Sequence, residues 1–125
     1  MRALVPAVLI GVLLAMATAG PSAADTHVVF DNNPSIVDSH PLHFDSWSRV
    51  DDDNAVAVDF TTGTPECYGV HATAHETAET VAIELRGGTL PEAVGRACIM
   101  IAVLGTLVVP LQHPLGDRAV LSASA

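Results

Sequence analysis

The chain has 125 residues, half of them hydrophobic, with 14 Asp+Glu against 5 Lys+Arg and a formal net charge of −9. There is no lysine, and every acid lies after residue 24, so the part from Asp25 onward is strongly acidic. That balance excludes a general nucleic-acid binder, which needs a basic face, and it argues against docking on anionic lipid.

Met1-Arg2 opens the chain with a positive charge, and Ala3–Ala19 is an apolar or small-residue run broken only by Pro6, Gly11 and Thr18. Gly20-Pro21 and Ser22-Ala23-Ala24 follow. Charge, apolar core and small residues at −3 and −1 make a secretory signal over residues 1–24, cut after Ala24, with Ala17-Thr18-Ala19 as a second site. Seventeen residues is short for a bilayer span, so no stable membrane span is expected after processing. The protein is expected to be secreted or associated with the cell envelope. An oxidising compartment then favours joining Cys67 to Cys98, and neither has the Cys-x-x-Cys spacing of a reactive or metal-binding thiol.

Residues 25–41 hold two prolines and little apolar patterning, and read as an N-terminal extended segment, a tether or an edge. Residues 42–125 read as the folded domain. Leu42–Val50 is its first strand, with Phe44 and Trp47 as its large residues. Asp51-Asp52-Asp53-Asn54 turns the chain into Ala55–Thr61, where Val56, Val58 and Phe60 share a face, so the pair predicts a hairpin. Gly63 and Pro65 break the run. Cys67–Thr77 places Tyr68, Val70, Ala72 and Ala74 on one face and Gly69, His71, Thr73 and His75 on the other. Thr80–Leu85 follows and ends at Arg86-Gly87-Gly88. Thr89–Ala97 reads as a loop with room for one helical turn at Leu90–Val94. Cys98–Leu104 is apolar on both faces, as a central strand would be. Gly105 reads as a bulge before Leu107–Leu111, Pro114–Asp117 as a turn, and Arg118–Ser122 as the last strand. The expected architecture is all-β: an antiparallel, immunoglobulin-like β-sandwich of six to seven strands with one disulfide.

The second half also carries motifs. Val58-x-Phe60-x-x-Gly63-x-x-x-Cys67-Tyr68-Gly69 is one, and Glu76-Thr77 followed by Val81-x-Ile83-x-Leu85-x-x-Gly88-x-x-Pro91 is another. Ala97-Cys98-x-x-Ile101-Ala102 and Pro114-Leu115-Gly116-Asp117-Arg118 complete the set. Over roughly residues 45–122 the chain resembles small exported actinobacterial proteins of mycobacterial type. The resemblance implies a disulfide-bonded β-domain in the envelope or medium, and it implies no assigned reaction and no catalytic residue.

Candidate chemistry is sparse. His71-Ala-Thr-Ala-His75-Glu76 has the i, i+4 spacing that holds zinc on a helix. On a strand, at about 3.3 Å per residue, those two rings sit about 13 Å apart and cannot share an ion. His40-Pro-Leu-His43 with Asp38 and Asp45 is the better metal candidate, because a loop can wrap an ion and His/Asp sets suit zinc or copper. His27 and His113 join it only if folding brings them there. Asp51–Asn54 lacks the Gly and the later Glu of a calcium loop. Asp38-Ser39-His40 holds the residue types of a catalytic triad without its geometry, and Gly87-Gly88 lacks the helix and Lys of a phosphate loop. Trp47 and Tyr68 read as core residues, with an exposed platform for glycan or protein as the alternative. The expectation is a non-catalytic protein that recognises an unknown envelope or extracellular protein or glycan. No cofactor is called for. A secreted metal-binding module is the alternative, and a small extracellular enzyme comes third.

Overall fold

The computed structural model describes Gly11 and residues 26–123. The expected secretory signal over residues 1–24 and its expected cleavage site therefore lie outside the described residues, Gly11 aside. Among the described residues there are eight strands: β1 (Val28–Phe30), β2 (Val37–Pro41), β3 (Ser46–Arg49), β4 (Ala55–Thr62), β5 (Tyr68–Glu76), β6 (Thr80–Thr89), β7 (Val103–Pro110) and β8 (Ala119–Ser122). They form two sheets. One has the order β1-β7-β4-β3, and the other has the order β2-β6-β5, with β8 also paired to β6.

Period-two apolar patterning builds the core. Val56, Val58 and Phe60 of β4 and Leu107 and Val109 of β7 face Val70 of β5 and Val81, Ile83 and Leu85 of β6. All nine are at most 3% exposed. Phe30 joins them from β1, its ring centroid 5.5 Å from that of Phe60. At roughly 25 cal/mol per Å² of apolar area, burial of this set is the main favourable term of the fold. The expected β3–β4 hairpin is present, with Ser46 opposite Asp59 and Arg49 opposite Val56. Its turn is held by the Asp52 carboxylate accepting from the Asn54 amide at 2.8 Å.

Several expectations are corrected. The described residues hold eight strands, not six to seven, and the sheets are mixed rather than antiparallel, because β1 runs parallel to β7 and β8 parallel to β6. Of the two readings of the 25–41 stretch the edge holds and the tether does not: it supplies edge strand β1 to one sheet and edge strand β2 to the other. Between them the chain bridges to β5 at Asn32–Val70. Leu42–Val50 is not one strand. Leu42 still donates to Leu85 on β6, whereas Asp45 already donates to Asp59 on β4, so the chain changes sheets between them. Gly87-Gly88 does not end β6, which continues to Thr89. A Cβ at Gly88 would lie 2.7 Å from the Val37 carbonyl oxygen, so the glycine lets β2 approach closely. Gly105 is not a bulge, since β7 stays in register with β4 from Val103 to Pro110. A Cβ there would lie 2.7 Å from both the Phe30 and Phe60 rings.

The largest correction concerns Cys98–Leu104. Residues 98–102 are irregular, and β7 begins only at Val103. The apolar segment that resembles a central strand in sequence is largely exposed in the fold.

Candidate functional site

The Cys67–Cys98 disulfide is formed, with Cα atoms 6.3 Å apart and a sequence separation of 31. Cys67 is buried and lies just before β5. Cys98 belongs to the long connection from β6 to β7, which begins with a 3-10 turn at Pro91–Ala93 and runs on to Ala102. Leu90 donates to the Cys67 carbonyl at 2.8 Å, so the connection is anchored beside the disulfide at its start as well. Past Cys98 nothing buries it. Ile99 is 62%, Met100 96% and Ile101 50% exposed.

Two open grooves flank this loop and share Tyr68 and Met100 in their walls. The larger, about 490 Å³, is apolar and is lined by Leu42, Thr61, Tyr68, Ile99, Met100 and Ile101, with the His40 imidazole also in its wall. The other, about 370 Å³, holds Asp38, Thr89, Arg96 and the Cys98 end of the disulfide. Asp38 has φ +52, in the left-handed region that Asp tolerates better than most residues. It sits at the irregularity in the β2–β6 pairing between Val37 and His40.

The metal candidates are spread through this region. His40 lies on β2 opposite Gly87, Asp45 has crossed to the other sheet, and His43 is in the connection between them. Among the described residues no group of three or more His, Cys, Asp or Glu is close enough to hold an ion, and His27 and His113 join none. Ser39 is held by Arg86, whose Nε donates to its Oγ at 3.1 Å and whose Nη2 donates to its carbonyl at 3.0 Å. Arg86 also approaches Glu84 at 3.9 Å. His71 and His75 lie on β5, as the alternation implies, and each is engaged separately. His71 Nδ1 is 3.1 Å from Asn32 Oδ1, and His75 Nε2 is 3.6 Å from Glu84. Trp47 is not the core residue expected, being 37% exposed on edge strand β3, whereas Tyr68 is half-buried at the start of β5; the two lie on different sheets, so they do not make one platform either. Tyr68 packs its ring over Gly63, where a Cβ would be only 2.5 Å from the ring.

One ionic cluster joins two of the sequence motifs, Glu76-Thr77 and Pro114–Arg118, whose pairing nothing in the sequence announces. Glu76 and Arg118 pair at 3.1 Å, with side chains only 10% and 11% exposed. The Glu76 carboxylate also accepts from the Gln112 amide at 2.7 Å and the His113 amide at 3.3 Å. Burial pushes the Glu76 carboxyl up, but the Gln112 amide, Arg118 and the His113 amide outweigh it, and the net position is below the ordinary carboxylate value. Arg118 spends its remaining donors on the carbonyls of Thr77, His113, Pro114 and Leu115. Every partner here is internal, so the cluster ties the β7–β8 connection to the end of β5.

Sequence pattern missed the apolar loop because hydrophobicity counts Ile99, Met100 and Ile101 as buried. The available signal was Cys98 itself, since a disulfide to Cys67 holds this segment at the end of the sandwich. Compared with protein-family models, curated proteins and solved structures, the chain finds no match. Among the described residues no helix is long and apolar enough to cross a membrane.

Proposed function

We propose that this is an exported, non-catalytic protein that acts by surface recognition of an envelope or extracellular partner, with the Ile99–Ile101 loop as its contact surface. The observation that carries the reading is the exposure of three consecutive large apolar side chains, topped by Met100 at 96%. Leaving such a cluster in water forgoes burial free energy at roughly 25 cal/mol per Å², and contiguous exposed apolar surface of this kind marks interaction sites. Export is supported by the apolar leader and by a disulfide compatible with an oxidising compartment. The resemblance to small actinobacterial exported proteins points the same way. An immunoglobulin-like relationship is our reading of the topology. Its support is the two-sheet arrangement, the isolated bridge from Asn32 to Val70 just after β1, and the inter-sheet crossover at Leu42–Asp45.

The test presents immobilised wild-type protein and the Met100→Asp variant to culture medium and envelope extract, and identifies what each retains by mass spectrometry. A component held by the wild type and lost from the variant supports the reading. Equal retention on both places recognition elsewhere, and no retention on either removes it.

A further inference from the structure

We infer that, while the leader is attached, the Ile99–Ile101 loop rests in the interface of a neutral lipid bilayer, and that cleavage frees it for its partner. The inference rests on the reading of residues 1–24 as an export leader and of this loop as a contact surface, and it names what covers the loop first. The register of β1 on β7 carries it. Val28 lies opposite Gly105 in a parallel pairing, so the chain enters β1 at the end of the sheet where it also enters β7. Neighbouring strands are about 4.8 Å apart, and the four steps from Ile101 to Gly105 span at most about 14 Å. Ile101 is therefore within about 20 Å of the point where the chain comes in from the leader. The nine steps from Ala19 to Val28 reach at most about 32 Å. A leader in the bilayer thus holds the domain with this end, and the loop on it, toward the lipid.

Charge fits the same place. The stretch from Ala93 to Gly116 contains no Asp or Glu, although 14 acids lie from Asp25 onward. Arg96 is its only arginine; it is exposed and lines the groove beside Met100. Arg49, Arg86 and Arg118 are instead held by protein oxygens. An apolar tip with a guanidinium at its base seats side chains among acyl chains and a cation among lipid phosphates. The net charge of −9 opposes an anionic surface, so the lipid is zwitterionic. The size of the tip sets the strength. Three side chains of about four heavy atoms each bury less than one acyl chain, which by itself binds only marginally and reversibly. The loop therefore holds while the leader keeps it concentrated at the bilayer, and lets go once the leader is removed.

Methionine oxidation tests this. The full chain, leader included and disulfide formed, is inserted into phosphatidylcholine vesicles, and sulfoxide formation by aqueous peroxide is followed by mass spectrometry. Met16 lies in the leader and Met100 at the tip of the loop, so one digest reads both. Both are expected to oxidise at least tenfold slower than Met100 of the processed protein free in solution. Ile99→Asp with Ile101→Asp keeps the reporter and takes away its apolar flanks. That double variant is expected to return Met100 to the fast rate with Met16 still protected. Both positions are exposed, and unchanged thermal unfolding verifies that the fold is intact. Replacing half of the phosphatidylcholine by phosphatidylglycerol is expected to raise the Met100 rate severalfold, an effect that salt reverses. A fast Met100 beside a protected Met16 overturns the inference, as does an unprotected Met16. So does a Met100 already slow in the free processed protein, or one indifferent to the double substitution or to lipid charge. If the lipid contact fails in any of these ways while Met100→Asp still abolishes retention of an envelope component, the recognition reading stands alone. If neither oxidation nor retention responds to the loop, both fall.

Discussion

Two long connections in this protein treat their apolar residues in opposite ways. The β7–β8 connection turns Leu111 and Leu115 inward, to 8% and 1% exposure, and is pinned by the Glu76–Arg118 cluster. The β6–β7 connection is pinned by one disulfide and turns Ile99, Met100 and Ile101 outward. The first uses polar groups to hold a loop over the core. The second uses a covalent bond to hold apolar groups away from it. A loop that needed only to close the chain would gain by folding these side chains inward, so the difference separates a connection that buries its apolar residues from one that displays them, and the proposed contact surface rests on that contrast.

The largest expected effect comes from removing the covalent anchor. Reducing the disulfide, or replacing Cys67 and Cys98 together by alanine, should cost about 3–4 kcal/mol on the chain-entropy model for a loop of this length. Urea unfolding with and without reductant measures it. If the loss were only a few tenths, the β6–β7 connection would be held by packing, and the contrast with its neighbour would disappear.

Glu76→Gln should follow, at about 3 kcal/mol, because it leaves Arg118 largely buried with carbonyl partners but no counter-charge. The pH dependence has a definite sign. The folded carboxyl is held below its ordinary value, so its contribution is fully present above the unfolded value of about 4.3. It is lost as pH falls through the lower folded value. Stability of the wild type should therefore drop on acidification below about pH 4, and the variant's curve should be flatter over that window. Equal slopes would mean that another carboxylate controls acid unfolding.

Gly105→Ala comes next, at about 2 kcal/mol, since the added methyl meets the Phe30 and Phe60 rings and overpacks a filled core. The sequence shows a glycine in an apolar run, which suits a bulge or a close approach equally well; the two aromatic rings that decide between them lie 75 and 45 residues upstream. The same limit governs what else was legible. β4 and β5 could be read because their larger apolar residues alternate, Val56, Val58 and Phe60 on one and Val70, Ala72 and Ala74 on the other, even though Ala55 and Ala57 on the second face of β4 are buried too. β2, as Val-Asp-Ser-His-Pro, carries no such record, because it sits at a sheet edge with four of its five residues exposed. The parallel pairings of β1 and β8 depend on chain path rather than local pattern. Glu76 and Arg118 are 42 positions apart, and neither stands out from the other charges.

The smallest expected effect is the most informative about the contact loop. Met100→Ser removes a large apolar side chain, a change that costs about 2–5 kcal/mol in a core. At 96% exposure it should cost less than about 0.5 kcal/mol by thermal or urea unfolding. Leu115→Ser in the opposite connection provides the contrast, because it buries a hydroxyl where a leucine is 1% exposed. A near-zero value at position 100 beside a loss of several kcal/mol at position 115 would show that the two loops use apolar side chains for different purposes. A loss at position 100 above 1 kcal/mol would mean that Met100 already packs within its own chain, and the case for a surface awaiting a partner would lose its main observation.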